Sequence, residues 1–292
     1  QDIFPDQEDA EGHGQSIQAD GQIPIQHTGE EFSQEPEQAA GIPEAESGSV
    51  SAQDVIPNQP KSLNPVNFHI TDDDLGAGGP KQKFRANMVA VSLLKKLEGE
   101  NRAATPEEQD ILSRYVGWGG LPAAFEEGNG AWESEYMELK QALTEEEYRQ
   151  ARASTLNAFY TPPVVIKAVY EALGNMGLKK GNVLEPSCGT GNFMGLVPEE
   201  MDALKMYGVE IDSISGRIAG QLYQKNRISI QGFESAQYPD SFFDCVVGNV
   251  PFGSYKVADR KYDRFNFLIH DYFIAKSLDL VRPGGVVAVV TS

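Results

Sequence analysis

Cysteine is scarce in this chain. Its 292 residues hold two, Cys188 and Cys245, 57 positions apart and with no histidine close to either. That excludes a disulfide scaffold and a Cys/His metal site, so no metal is expected and a reducing, cytoplasmic setting is the default. Long apolar runs are missing as well. The longest, Gly284 to Val290, is far short of the roughly 20 residues a membrane-spanning helix needs, so no membrane partner is expected. A basic-then-apolar secretory signal is absent from the N-terminus. Basic residues are absent from positions 1–60, which carry thirteen Asp and Glu. With 24 Lys and Arg against 43 Asp and Glu overall, the chain is not a strongly basic nucleic-acid clamp. Contacts to such a partner would have to come from a local patch.

What is present divides into three parts. Residues 1–80 read as a disordered acidic linker, because scattered apolar residues cannot offset an ordering entropy of roughly 1–2 kcal/mol per residue. Residues 81–155 read as a small helical region. Phe84, Met88, Val91 and Leu94 share one helical face. Thr105-Pro106-Glu107-Glu108 and Thr144-Glu145-Glu146-Glu147 are capping boxes that open helices to about Tyr115 and Arg152. Trp118 and Trp132 are expected to be packing residues. From residue 156 to 292 strands alternate with helices. The strands are expected at Asn182–Glu185, Met206–Ile211, Arg227–Gln231, Phe243–Val247 and Gly285–Val290, with helices at Ser213–Gln224 and Phe267–Val281. This alternation predicts an α/β fold with a parallel sheet, whose ligands sit beyond the carboxyl ends of the strands. The absence of an initial Met, and the stop straight after an apolar run, suggest a C-terminally truncated fragment.

Three motifs fall at those strand ends. The first runs Leu184-Glu185-Pro186-Ser187-Cys188-Gly189-Thr190-Gly191-Asn192-Phe193. Gly189 and Gly191 allow a tight turn against a ligand. The third glycine, Gly195, comes one position too late for the G-x-G-x-x-G of a dinucleotide fold. The spacing suits a nucleoside ligand without a pyrophosphate, with Glu185 placed to meet an amino group. The second motif ends in Glu210-Ile211-Asp212, where Glu210 could accept two ribose hydroxyls and Ile211 could wall an adenine. Asp212 reads as a helix N-cap. Cys188 reads as a small packing residue, and His270 as a structural histidine. The third motif is Gly248-Asn249-Val250-Pro251-Phe252-Gly253.

That third motif resembles the Asn-Pro-Pro-Tyr/Phe signature of S-adenosylmethionine-dependent methyltransferases acting on exocyclic amino or amide nitrogens. Leu184–Phe193 resembles the cofactor loop of those enzymes, and Phe159-Tyr160-Thr161-Pro162-Pro163 their preceding cofactor motif. The order of the pieces is similar to that of N6-adenine DNA methyltransferases. Tyr115-Val116-Gly117-Trp118-Gly119-Gly120-Leu121 resembles the methylase portion of large helicase–methylase fusion proteins of bacterial mobile elements. The resemblance implies a Rossmann-like class I methyltransferase core over residues 156–292, S-adenosylmethionine as cofactor, adenine in DNA as substrate and a fused helicase region as partner. Tyr160, Thr161, Glu185, Pro186, Cys188, Gly189, Gly191, Phe193, Glu210, Ile211, Phe233 and Glu234 would line the cofactor site. Asn249, Val250, Pro251 and Phe252 would form the catalytic segment. In that segment the Asn249 side-chain oxygen and the carbonyl of residue 250 would accept the amino hydrogens, and Phe252 would stack on an extruded base.

The chain departs from the family pattern twice. Val250 stands where the first proline normally sits, which keeps a carbonyl and gives up rigidity. The third strand ends Gln231-Gly232-Phe233-Glu234, so Glu234 either faces the adenine from a shifted position or is an ordinary surface glutamate. Lys256, Arg260, Lys261 and Arg264 follow the catalytic segment among two tyrosines. They read either as substrate contacts or as a solvated loop. A methyltransferase acting on RNA bases or protein glutamine, and a non-catalytic cofactor-binding or DNA-docking module, are the alternative functions. As a fragment, residues 1–292 are expected to bind cofactor weakly or not at all and to methylate nothing unaided.

Overall fold

The computed structural model describes residues 64–74, 76–155 and 161–291. The acidic segment 1–60 and the Phe159-Tyr160 pair lie outside the described residues, so nothing is placed for Tyr160. Four helices come first: α1 (Pro80–Gly99), α2 (Pro106–Leu112), α3 (Glu133–Ala142) and α4 (Glu145–Ser154). Thr105 and Thr144 cap α2 and α4 as capping boxes, each hydroxyl accepting the N–H of the glutamate three residues on. Then follow α5 (Pro163–Asn175), β1 (Lys180–Glu185), α6 (Asn192–Gly195), β2 (Ala203–Glu210), α7 (Ser213–Leu222), β3 (Arg227–Ile230), β4 (Phe243–Asn249), α8 (Ile269–Leu280) and β5 (Val281–Val290). The sequence pattern anticipates neither α3 nor α5. Asp212 caps α7 by accepting the N–H of Ser215.

All five strands are parallel, in the order β3-β2-β1-β4-β5. The chain starts at β1, winds outward to β3, and crosses back to β4 on the other side of β1. The carboxyl ends of β1 and β4 therefore flank the point where the winding reverses, which opens a crevice. Strand β5 starts earlier than its apolar run. Val281 pairs with Phe243, then Arg282–Gly285 bulge out before Val286 pairs with Cys245. Pro283 in this stretch has no N–H to give to the ladder.

Side chains alternate between two cores, as a sheet covered on both faces requires. Val183, Met206, Cys245 and Val247 point to one face, where they join a core with residues of α7 and of the N-terminal helical region, including Phe84, Leu94 and Trp118. Leu184, Tyr207, Val209 and Val246 point to the other, against Phe233, Tyr272 and Phe273. Each such buried side chain contributes roughly 1.5–3 kcal/mol. Trp118 is fully buried and meets Phe84, Tyr115 and Phe125 at ring distances of 5.5–6.1 Å.

Polar contacts join the helical region to the sheet. The buried Gln109 amide donates to the carbonyls of Val66, Gln221 and Leu222, satisfying groups at the end of α7 that have no helical partner. Glu147 of α4 accepts from Lys95 of α1 and Arg217 of α7. Burial works to raise its pKa, but hydrogen bonds from Lys95, the Thr144 N–H and Arg217 outweigh it and bring the carboxyl down to about 2. Among the described residues, no helix is long and apolar enough to cross a membrane.

Candidate active site

At the carboxyl ends of β1, β2 and β4 lies a cavity of about 420 Å³. Its floor is the turn after β1. The Cys188 N–H donates to the Val209 carbonyl (3.0 Å), and the Gly191 N–H returns to the Cys188 carbonyl (2.7 Å). Gly191 has φ +85°, and a Cβ there would lie 2.4 Å from the Tyr223 ring, so both conformation and packing demand glycine. The helix that follows is a single turn, shorter than the glycine-turn-to-helix pattern suggests.

Four carboxylates converge on this cavity: Glu185, Glu210, Asp212 and Glu234. Both oxygens of Glu210 accept main-chain N–H groups, of Gly189 and Asp212, each at 2.7 Å. Burial nevertheless pushes its carboxyl up to about 7, with the Asp212 charge adding to the rise. Glu185 is buried, and its pKa lies well above the carboxylate range because of burial and then the charge of Glu210. Its Oε2 and the Oδ1 of Asp212 are buried without a hydrogen-bond partner. Such orphaned acceptors cost free energy unless a donor arrives. Among the described lining residues there is no lysine, arginine or histidine.

The β4 end supplies the opposite wall. Asn249, Val250, Pro251 and Phe252 all line the cavity, with Phe252 about a third exposed at its mouth. Ser187 Oγ donates to the Asn249 carbonyl (2.7 Å), tying the β1 turn to this segment. Gly248 has φ +152°, and a Cβ on it would stand 3.2 Å from Glu185 Cγ. Val250 is fully buried, and its N–H donates to Val290 O at 3.1 Å. A hydrogen bond and core packing thus hold the position where the family pattern has proline.

Of the residues singled out for the cofactor, Thr161, Glu185, Pro186, Cys188, Gly189, Phe193, Glu210, Ile211, Phe233 and Glu234 line the same cavity. Gly191 shapes the turn from behind. The Cys188 thiol is buried and its pKa is pushed up, first by burial and then by Glu185, so it is held neutral. None of the four cations of the basic loop lines the cavity. Lys261 pairs with Asp240 (3.0 Å) and Asp279 (2.9 Å), and Lys256 donates to Asn266 (2.5 Å). Arg264 lies 4.6 Å over the Phe265 ring, and Arg260 is exposed. Lys256 instead lines a second cavity, which shares Val257 with the first.

Sequence reasoning missed the contribution of the helical region. Tyr115, Gly117, Gln150, Ala153 and Ser154 form a wall of the cavity. Asn87 of α1 holds that wall, donating to the Gly117 carbonyl (2.6 Å) and accepting from the Val116 N–H (2.9 Å). The Tyr115–Leu121 run was the available signal. Gln150, which accepts from the Ser213 N–H, carried none.

A family model described as N-6 DNA Methylase matches residues 143–291, half of the chain and all of the sheet. The chain belongs to the N-6 DNA methylase family. The chain is 32% identical over 220 residues to the "Defense against restriction protein B" of Escherichia phage P1, a match covering 74% of the chain and 8% of the phage protein. It is 31% identical over 121 residues to the "Type II methyltransferase M.CvrRI" of Paramecium bursaria Chlorella virus XZ-6E, covering 41% of the chain and 30% of that protein. The chain therefore spans less than a third of either relative. Among solved structures it is similar to the type I restriction-modification methyltransferase subunit of Streptococcus thermophilus, with 13% identity, 72% of this chain and 68% of that one covered, and a TM-score of 0.39.

Proposed function

We propose that the chain catalyses methyl transfer from S-adenosylmethionine to the N6 amino group of adenine in DNA. One observation carries the reading: the cavity between β1 and β4 has four acids and, among the described lining residues, no base. A pyrophosphate would be repelled there. A sulfonium nucleoside with an α-amino group suits it, because the orphaned oxygens of Glu185 and Asp212 need donors and a cation would draw the raised carboxyls back toward ionisation. When bound, S-adenosylmethionine supplies an electrophilic methyl carbon. Glu185 takes the ammonium, Glu210 and Asp212 the ribose side, and Phe233 with Ile211 the adenine.

Asn249 and Val250 act on the target. An amino nitrogen on a purine is a poor nucleophile because its lone pair is delocalised into the ring. Two acceptors on its hydrogens, the Asn249 side-chain oxygen and the Val250 carbonyl, favour a tetrahedral nitrogen and stabilise its developing charge. Phe252, at the mouth, stacks on the extruded base. The new N–C bond forms as the S–C bond breaks, and the extra proton leaves the nitrogen for solvent. Family membership and the viral relatives support DNA as substrate. A helicase region fused to the same polypeptide is part of this proposal, on the strength of the Tyr115–Leu121 motif.

Calorimetry with S-adenosylmethionine and with NAD tests the cofactor: heat from the first and none from the second is expected. Binding of NAD at the same site would overturn it. For the chemistry, Asn249→Ala in the full-length protein should cut methylation of adenine-containing duplex at least a hundredfold while cofactor affinity holds. Unchanged methylation would remove the catalytic assignment.

A further inference from the structure

Lys276 is a buried cation that the proposed chemistry leaves unused. It sits in the middle of α8 with its side chain 8% exposed, and it is not among the residues lining the cavity. A buried ammonium persists only where acceptors surround it. Here they come from two separate segments of chain. Nζ donates to the carbonyl of Phe233 (2.7 Å) and approaches that of Glu234 (3.5 Å), two residues in the turn after β3 that wall the cavity. On its other side Nζ meets Asp259 Oδ2 at 3.3 Å. Aromatic rings pack around it, with Phe233 at 4.8 Å and Tyr272 at 5.8 Å from Nζ.

Asp259 is itself the hub of the loop that follows the catalytic segment. It accepts from the Tyr272 hydroxyl (2.8 Å) and from the Lys261 N–H (3.1 Å), and its own N–H donates to Asp263 (2.8 Å). Tyr255 and Val257, just upstream in the same loop, line the cavity. The ammonium is thus the polar link between the cofactor-facing wall at Phe233–Glu234 and the loop leaving Asn249–Phe252. Neither segment has regular secondary structure to hold it, so its placement depends on such contacts.

We propose that Lys276 is a positioning residue, which fixes the Phe233–Glu234 wall and the Asp259 loop in one arrangement so that cofactor affinity responds to a change in either segment. This rests on the reading of the cavity as an S-adenosylmethionine site. Methionine at 276 matches the length of lysine and removes the charge, so the helix and its packing are kept.

The test is calorimetry of the full-length protein with S-adenosylmethionine for wild type, Lys276→Met, Asp259→Asn and the double variant, with thermal midpoints measured alongside. Lys276→Met should weaken cofactor binding about tenfold. Asp259→Asn, which lines no part of the cavity, should weaken it several-fold in the wild-type background and leave it unchanged in Lys276→Met. A role in stability alone would lower the midpoints and leave affinity within twofold, which overturns the proposal; so would additive effects of the two substitutions. Should Lys276→Met fail to fold, Asp259→Asn decides alone, and an unchanged affinity rejects the link. If wild type takes up no cofactor, the cavity reading falls and this proposal with it. If wild type binds and every variant binds equally, the positioning role alone is lost.

Discussion

The main-chain N–H of Val250 donates to the carbonyl of Val290 across 3.1 Å, a bond that proline at this position could not make. It extends the β4–β5 ladder one residue beyond the Asn249–Val290 pair and fixes the backbone of Val250, which lines the cavity. Restoring the family-typical residue with Val250→Pro should therefore harm this chain. A stability loss of about 1–3 kcal/mol is expected from the lost bond and the emptied valine site, read by urea denaturation. Methylation by the full-length protein should fall rather than rise; a gain in either quantity would count against the account of this segment.

Cofactor affinity should depend on pH through Glu185 and Glu210. Both carboxyls are raised by burial, Glu210 to about 7, so near pH 5 Glu210 is largely protonated and cannot take a ribose as a carboxylate does. Affinity should climb from pH 5 to pH 8. Glu210→Gln should flatten the part of that rise centred near 7. A pH-independent affinity in the wild type would remove carboxylate ionisation from the binding step.

The same two groups oppose stability as pH rises. A carboxyl whose folded pKa exceeds its unfolded value binds more protons when folded, so stability declines from about 4.5 up through the folded value. For Glu210 that window ends near 7. The thermal midpoint of the free chain should fall across it, and Glu210→Gln should lessen the fall.

Glu147 acts in the opposite sense. Its folded value near 2 lies below the ordinary 4.5, so its stabilisation is fully present above about 4.5 and is lost as pH falls toward 2. The contribution is roughly 2–4 kcal/mol at neutral pH. Glu147→Gln should remove much of the acid sensitivity of the helical region, followed by amide exchange in α1 and α4.

Within the basic loop the four cations should not be equal. Lys261 is neutralised by Asp240 and Asp279, whereas Lys256, Arg260 and Arg264 have no acidic partner among the described residues. Replacing those three by alanine should weaken DNA binding and reduce its salt dependence, as fewer counterions are released. Lys261→Ala should leave both nearly unchanged in an anisotropy titration.

Much of this was legible in the one-dimensional pattern, because local rules govern it. Thr105 and Thr144 announce helix starts through a spacing of three residues, and Val286–Val290 announces a strand, although as the edge of the sheet it is half-buried rather than buried on both faces. The Glu185–Phe193 turn, the Glu210 strand end and the Asn249–Phe252 segment are contiguous motifs, and residues of all three line the cavity. What needed the tertiary structure was every pairing between distant segments. Gln150 and Tyr115 reach the cavity because α7 packs against the helical region. Lys261 is taken out of play by Asp240 and Asp279, 21 and 18 residues away in opposite directions along the chain. Val250 is held by Val290, and Lys276 by Phe233 and Asp259. Short-range spacing carries turn and helix preferences, whereas desolvation and hydrogen-bond partnership are set by which segments the fold brings together.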